Sequence, residues 1–323
     1  MTNHRAGVTL IEVVVVIVII SLLLGLSVAL YRNANRDLGV RAAAGHLVAV
    51  LRAARDEARA TRSPAWVVLD VAGNAVYAMT KETAGEWHFE DTVTTGAFGK
   101  NGRVTNGVLV PGRVGSALQM TGSTTVDCGE FPVYAEDQGV AIEFWFYRVD
   151  APRRQMLCAI GPQLEMSIEA NGQLVARIGT ATLSSGSVTF RGSDRWYRIH
   201  LVFNGREAQL VVNDALLATG AVTMKWTKGQ ALVLGASKGG CQGILDEFRV
   251  SLIFARERYL LPSEAKFDLP QGYLAPKQTE FVIHFDGEGR LDPRKHSNQL
   301  RIKIKSPAEE KEITINPTGM VQR

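Results

Sequence analysis

Residues 8–30 form an almost unbroken apolar run near the amino terminus, and this run limits what the chain can fold into more than any other feature. A helix needs about 20 apolar residues, at a rise of roughly 1.5 Å each, to cross the hydrocarbon core of a bilayer. The run is long enough, so the sequence predicts a single transmembrane helix. Its one charged residue is Glu12. Because a carboxylate in such a segment costs about 2.5–3.5 kcal/mol on insertion scales, we expect Glu12 to need a cationic partner.

The residues at the start of this run have a specific order, Gly7-Val8-Thr9-Leu10-Ile11-Glu12. This order resembles the processing site of type IV prepilins and of the pseudopilins of type II secretion systems. The resemblance implies that residues 1–7 are a leader, that a prepilin peptidase cuts after Gly7, and that the new amino terminus, Val8, is methylated. Most members of the family have phenylalanine at the position of Val8. The resemblance also implies a salt bridge in the membrane between Glu12 and the free amine of a neighbouring subunit, which offsets the cost of burying the carboxylate.

The apolar run has two other interpretations, a secretory signal peptide and a plain single-pass anchor. The triplet Ser27-Val28-Ala29 is of the kind that signal peptidase cuts after, but the apolar core of a signal peptide has only about 7–15 residues. A plain single-pass anchor would have a basic flank and no acid near its start. Neither interpretation explains Gly7 and Glu12 at this spacing.

The helical pattern continues beyond the apolar run. Residues 32–62 contain no proline. One helical face stays apolar because small and apolar residues recur at spacings of three and four, at Leu47, Leu51, Ala54 and Ala58. Pro64 makes Ser63 the expected last residue. We therefore expect residues 8–62 to form one helix of about 80 Å, transmembrane over 8–30 and periplasmic over 31–64. Its other face carries arginines, which we expect to be solvated or paired locally, as in Arg52 with Asp56.

A small β head is expected after the helix. Residues 65–71 and 75–81 read as two strands around the turn-forming pair Gly73-Asn74. This part of the chain resembles the H-type minor pseudopilins and their type IV pilus relatives. The resemblance rests on the hairpin, on Trp87 after it, and on the pattern at the end of the helix, which is formed by Arg52, Ala54, Arg55, Glu57 and Ala58. In those proteins the sheet closes soon afterwards. Here the closing pattern comes much later, at residues 280–285, 299–305 and 312–316. We therefore assign 65–91 and 276–323 to a pilin-like head that is interrupted by an insertion.

The insertion, residues 92–275, consists of short β runs broken by glycine about every ten residues, the spacing of a sandwich. Its clearest predicted strands are 140–147, 196–203, 208–213, 231–235 and 243–250. It resembles the laminin-G-like, concanavalin-A-like jelly roll on the segments 115–120, 142–146, 196–203 and 243–250. The predicted fold is therefore an α+β pilin, with a long amino-terminal transmembrane helix and a small antiparallel sheet, that carries an inserted all-β jelly-roll sandwich.

Two features of the insertion bear on its chemistry. Asp246 shares strand parity with Phe248 and Val250, so we expect it to point inward and accept backbone hydrogen bonds rather than bind a metal. The segment from Glu165 to Glu169 has the outline of the E-x-D-x-E strand of retaining glucanases of this fold, but Ser167 replaces the central acid. A retaining mechanism needs two carboxyl groups about 5–5.5 Å apart, with neighbours that tune one as the acid. We therefore expect no catalytic residues.

Other candidate sites are weak. The six histidines have no metal-ligand spacing, and neither a cofactor nor a metal is expected. A periplasmic location permits a disulfide, but three cysteines leave one unpaired, and sparse cysteines are more commonly reduced core residues: Cys128, Cys158 and Cys241. The net charge is only +4, and its basic residues lack interleaved aromatics, so nucleic acid is not an expected partner.

These observations predict a non-enzymatic minor pseudopilin or pilin-like subunit of a type II secretion or type IV pilus filament. The expected location is the bacterial inner membrane, in a single pass, with the head in the periplasm. Expected partners are the prepilin peptidase, other pilin or pseudopilin subunits, inner-membrane lipid, and a glycan or protein ligand of the insertion, whose binding surface the sequence does not locate. The alternatives are an adhesin pilin without a secretion role and a membrane-tethered glycoside hydrolase.

Overall fold

A computed structural model describes residues 10–90, 94–95, 101–149, 153–186, 195–236, 238–307 and 309–323, with residues 10–13, 25–37, 94–95 and 101 described by their backbone only. Gly7 and Val8 lie outside the described residues, and so does the side chain of Glu12. The chain divides into two compact units. The first unit contains Met1–Thr61, Ala65–Ala78 and Glu257–Arg323, and the second contains Arg62–Pro64 and Met79–Arg256.

The elements follow one another in a simple order, a single long helix and then strands. They are α1 (Leu10–Thr61), β1 (Ala65–Asp70), β2 (Ala75–Trp87), β3 (Thr94–Thr95), β4 (Asn101–Thr105), β5 (Val108–Pro111), β6 (Ser116–Thr121), β7 (Thr125–Glu130), β8 (Gly139–Arg148), β9 (Gln155–Ile160), β10 (Leu164–Ile168), β11 (Leu174–Ile178), β12 (Ala181–Ser184), β13 (Arg195–Phe203), β14 (Glu207–Val212), β15 (Ala215–Ala221), β16 (Ala231–Gly235), β17 (Gln242–Ala255), β18 (Tyr259–Leu260), β19 (Lys266–Asp268), β20 (Glu280–Phe285), β21 (Leu300–Lys305), β22 (Glu310–Ile315) and β23 (Val321–Gln322).

Helix α1 ends at Thr61, one residue before the end predicted for the continuous helix and two residues before Ser63, the last residue that Pro64 would allow. Arg62 adopts a left-handed backbone conformation with φ 48°, a common way for a helix to stop, and Pro64 cannot continue the helix. The predicted apolar stripe is confirmed, since all four of its residues are buried in the core of the first unit: Leu47, Leu51, Ala54 and Ala58.

The amino-terminal part of α1 has a different surface. Its large apolar side chains between Val14 and Leu24 are all at least 50 % exposed, on every face of the helix. Among the residues that the structure describes, no helix has the length and apolar character that a bilayer span requires.

The first unit packs two small groups of strands against the carboxyl-terminal part of α1. Strands β1 and β2 form the predicted hairpin, in which Val67 pairs with Ala78, and β20 pairs with β1 along its whole length. The turn between β1 and β2 is closed by Asp70, whose Oδ1 accepts a 2.7 Å hydrogen bond from the backbone N–H of Gly73. A separate four-stranded sheet has the order β19-β21-β22-β23 and contributes Ile302 and Ile313 to the same core.

The second unit is an antiparallel β-sandwich. One sheet has the order β15-β14-β13-β8-β17, with β6 and the second part of β2 both paired to the far edge of β17 and β5 paired to β6. The other sheet has the order β12-β11-β10-β9-β16-β7-β4-β3. Aromatic residues such as Phe144, Phe146 and Phe248 fill the space between the two sheets. The predicted strands of the insertion are all present, and the sandwich architecture is confirmed.

The boundaries of the insertion are corrected by the structure. We predicted 92 and 275, whereas the division falls at Met79 and Arg256. The reason is that β2 and β17 continue past their predicted ends at 81 and 250, and each extension pairs with the other strand, from Phe248 opposite Trp87 to Ala255 opposite Met79. Trp87 therefore belongs to the core of the sandwich and not to the pilin-like head. Conversely, β19 lies within the predicted insertion but belongs to the first unit.

Candidate functional site

The acidic segment on β10 forms a network of ion pairs. Glu165 contacts Arg154 and also Arg177, whose Nη1 lies 3.1 Å from the carboxylate. Arg177 also donates to Glu169 at 2.9 Å, and the hydroxyl of Ser167 donates to the same carboxylate at 3.1 Å. β10 and β11 pair so that Glu165 lies opposite Arg177, which explains how alternate residues of two strands build the network.

This network lowers the pKa of Glu169. Burial acts to raise the pKa of Glu169, but the hydrogen bonds from Arg177 and Ser167, together with the charges of Arg177 and Arg154, lower it overall. A general acid in glycoside hydrolysis needs a raised pKa. The environment of Glu169 therefore favours a permanent carboxylate.

Asp246 is fully buried, as its strand parity predicted. Its Oδ2 accepts hydrogen bonds from the backbone N–H groups of Arg113 and Val114, at 2.7 and 3.0 Å. Burial raises the pKa of Asp246, and these backbone hydrogen bonds oppose that shift. The carboxylate thus fixes the turn between β5 and β6, which confirms the structural part of the prediction.

A second group of ionisable side chains lies where β17 changes its neighbour from β6 to β2. Glu86, His88 and Glu247 bring one ligand atom each within 4.8 Å of one another. The Nδ1 of His88 lies 2.8 Å from a carboxylate oxygen of Glu247, and this hydrogen bond raises the pKa of His88. Glu247 reaches the histidine because β17 bulges here and Glu247 adopts a left-handed φ of 51°.

These three side chains include the ligand types that Zn²⁺ accepts. However, Arg249 donates its Nε to Oε1 of Glu86 at 2.9 Å and neutralises one of the two carboxylates. We therefore interpret the cluster as an ion-paired surface group and assign no metal to it. Sequence reasoning missed it, although the i, i+2 spacing of Glu86 and His88 places both on one face of a strand.

The three cysteines are free and buried in the core of the second unit. Burial raises the pKa of all three thiols, to about 12 in the case of Cys241. Because the thiolate is the reactive form, these cysteines are inert core residues.

The buried histidine of this unit, His200, has a pKa held well below its usual value, chiefly by burial.

Two family models match separate parts of the chain. Residues 2–28 match the model of the prokaryotic N-terminal methylation motif. Residues 120–252 match the laminin-G-type model of the concanavalin A-like lectin/glucanases superfamily. The chain joins a prepilin-type amino terminus to a laminin-G-like domain. The methylation motif spans Gly7, Val8 and Glu12, and it implies processing by a peptidase and assembly with other pilin subunits.

Comparisons of whole proteins are less specific. No curated protein matches the sequence. Domain 4 of an extracellular arabinanase from Geobacillus stearothermophilus matches at 14 % identity and a TM-score of 0.43, over 53 % of this chain and 92 % of that one. A Trypanosoma rangeli sialidase mutant matches at 13 % identity and a TM-score of 0.39, over 52 % of this chain and 30 % of the sialidase. The binding domain of botulinum neurotoxin DC matches at 10 % identity and a TM-score of 0.41, over 72 % of this chain and 73 % of that one.

Proposed function

We propose that this protein is a non-enzymatic minor pseudopilin or pilin-like subunit whose laminin-G-like domain recognises a glycan or protein ligand. Residues 8–30 anchor it in the bacterial inner membrane in a single pass, and the head lies in the periplasm. The observation that carries the proposal is the methylation motif at residues 2–28, which leads directly into the long helix α1. A cleavage and methylation signal on such a helix suits a subunit that is released into a filament.

The exposed apolar part of α1 supports a location in lipid or among other apolar helices. Its side chains from Val14 to Leu24 face outward in all directions, whereas a helix on the surface of a soluble domain has one polar face. Such a surface is stable where lipid or neighbouring helices cover it.

The contacts of β10 support a non-enzymatic role. The carboxylates of Glu165 and Glu169 are both paired with arginines, and the pKa of Glu169 is lowered, the opposite of what a general acid needs. The same strand can instead act as a fixed polar surface.

A second candidate function is an adhesin pilin without a secretion role, favoured by the match of residues 120–252 to a lectin-containing superfamily. The two candidates differ in their genetic surroundings. Secretion ATPase and secretin genes nearby indicate the first function, and an isolated gene beside other laminin-G-like proteins indicates the second.

Mass spectrometry of the membrane-extracted protein tests the proposal. We expect a mature chain that starts at N-methylated Val8. Gly7→Ala should slow cleavage, whereas Gly25→Ala, which changes a glycine inside the apolar run, should leave cleavage unchanged. A mature chain that starts at Leu30 would mean that signal peptidase removes the run and that the protein has no pilin stalk.

A further inference from the structure

A cavity of about 230 Å³ lies in the second unit, beside residues 79–87 of β2, the part of this strand that extends beyond its pairing with β1. Its walls come from β2, from β17, and from the segment around Phe131 that follows β7. An engineered protein cavity of about 150 Å³ with apolar walls is large enough to bind benzene. This cavity therefore has room for one aromatic ring.

The main chain of β2 lines the cavity. The consecutive residues 82–85 all contribute to its wall. Because side chains of a strand alternate between the two faces, four consecutive lining residues indicate that the main chain of β2 is part of the wall. β17 pairs with one edge of residues 79–87, and no strand among the described residues pairs with the other edge. A register shift at this point leaves Ala84 as a bulge opposite Val250 and Ser251. An open strand edge of this kind can accept a further strand.

One lining residue, Trp87, has an unused hydrogen-bond donor. Trp87 is only 3 % exposed, and within the described part of the chain its indole N–H has no partner. Leaving a buried donor unpaired costs about 1–3 kcal/mol, so a ligand that brings an acceptor gains by satisfying it. Gly85 makes room for this indole, because a Cβ at that position would lie 2.4 Å from the ring of Trp87.

The mouth of the cavity is acidic and aromatic. Its exposed lining residues include two acids, Glu82 and Glu130, and Tyr134, which is 82 % exposed, and the described lining residues include no lysine or arginine. Oε1 of Glu130 also accepts a 3.1 Å hydrogen bond from the backbone N–H of Gly229. Such a mouth favours a ligand whose apolar group is flanked by positive charge.

We propose that this cavity binds an extended peptide segment of a partner protein. The segment adds as a strand to the open edge of β2, places one aromatic side chain in the cavity, and directs flanking basic side chains toward Glu82 and Glu130. This inference names the partner of the proposed recognition function and rests on that function. A strand added at this edge obtains its affinity from main-chain hydrogen bonds and its specificity from the cavity.

The first experiment measures binding of a defined peptide to the full-length protein in phospholipid nanodiscs, since detergent would compete for the cavity. The probe is the fluorescently labelled pentapeptide Lys-Val-Phe-Val-Lys, followed by fluorescence anisotropy. We expect saturable binding that falls at least tenfold when phenylalanine is replaced by alanine or when both lysines are replaced by glutamate.

Backbone N-methylation of the peptide tests strand addition directly. One peptide carries N-methyl groups on both valines, and the other carries them on phenylalanine and the lysines. Because alternate N–H groups of a strand face the same edge, one pattern should abolish binding and the other should preserve it. Equal binding of both methylated peptides, or of the alanine peptide, would refute strand addition at this cavity.

Variants of the protein locate the site. Glu82→Lys and Tyr134→Ala should each weaken binding about tenfold, whereas Glu257→Lys and Val114→Ala, at exposed positions outside the cavity, should not. Absence of binding, or equal effects of the two pairs, would overturn the proposal.

Co-purification with pilin subunits separates this inference from the proposed function. A chain that assembles but does not bind the peptide contradicts the peptide site alone. A chain that binds the peptide but never enters a filament contradicts the pilin role alone.

Discussion

At the scale of the residue, Glu12 stands out because it is the one charged side chain in a segment that is predicted to lie in the membrane. We predict that Glu12→Leu leaves cleavage largely intact but impairs entry into the filament, because the partner amine loses its carboxylate. Insertion into the membrane should improve slightly, since an insertion cost of about 2.5–3.5 kcal/mol is removed. Co-purification with other pilin subunits measures the effect, with Val13→Leu as the control. Wild-type levels of co-purification for Glu12→Leu would contradict the salt bridge.

His296 makes the first unit sensitive to acid. Its Nε2 accepts a 3.0 Å hydrogen bond from the backbone N–H of His284, so this nitrogen must be unprotonated. Burial, with the charges of His284 and Lys295, lowers the pKa of His296 to about 4. An unfolded histidine has a pKa of about 6.5, so between these two values only the unfolded state binds the proton.

The expected result is a loss of stability as the pH falls from about 6.5 toward 4, by up to about 1.4 kcal/mol for each pH unit, with full stability above that window. Urea unfolding of the full chain at several pH values measures it. His296→Gln keeps an acceptor but does not titrate, so its stability should depend less on pH. The same pH dependence in both proteins would show that another group is responsible.

Only part of the ionisable cluster could be predicted from the sequence. The parity of Glu86 and His88 is visible in the chain itself. The approach of Glu247 is not, because it depends on a bulge in β17 and on which strand β17 pairs with after Asp246. Asp246 itself was predictable, since an acid among inward-facing apolar residues of a strand must find backbone donors.

At the scale of the element, the buried face of α1 holds the first unit together. Leu51 is fully buried and Leu38 is 61 % exposed on the same helix. We predict that Leu51→Ala lowers the free energy of unfolding of the first unit by about 2–5 kcal/mol, because it leaves a cavity in the core. Leu38→Ala should change it by less than about 0.5 kcal/mol. Urea unfolding measures both, and similar losses for the two variants would show that the helix does not pack as described.

The sequence predicted the elements unevenly, for a physical reason. The stripe of α1 follows from helical periodicity alone, and β16 and β20 follow from short apolar runs between turns. The end of β2 does not, because residues 82–87 are largely polar or small and lack strand periodicity. Each extension exists because the other strand supplies its hydrogen bonds, and a single sequence contains no direct record of that pairing.

At the scale of the whole molecule, the corrected boundaries predict which deletion the protein tolerates. Met79 and Ala255 are cross-strand partners, so their Cα atoms lie about 4.5–5.5 Å apart. Joining Ala78 to Glu257 by a short glycine linker should therefore leave a first unit that enters the membrane and assembles. Residues 79–256 expressed alone should be soluble, β-rich and cooperative in melting, since their core contains residues of the second unit only.

The matched control is deletion of residues 92–275. It removes β19 from the four-stranded sheet and leaves residues 79–91 without β17, so this shorter protein should be degraded. Protease resistance and membrane fractionation compare the two. Degradation of both deletion variants, with residues 79–256 unfolded in isolation, would mean that the two units depend on each other to fold.

The pairing of Met79 with Ala255 also has an evolutionary consequence. A stretch of coding sequence whose two ends meet as neighbours can be gained, lost or exchanged in a single recombination event, because the flanking chain spans the same short gap afterwards. Selection can then act on the exchanged segment while the export and processing signals stay constant. Related genes should therefore vary most between the codons for Met79 and Ala255. They should carry different β domains, or no domain, at this place, while the sequence of the first unit stays similar.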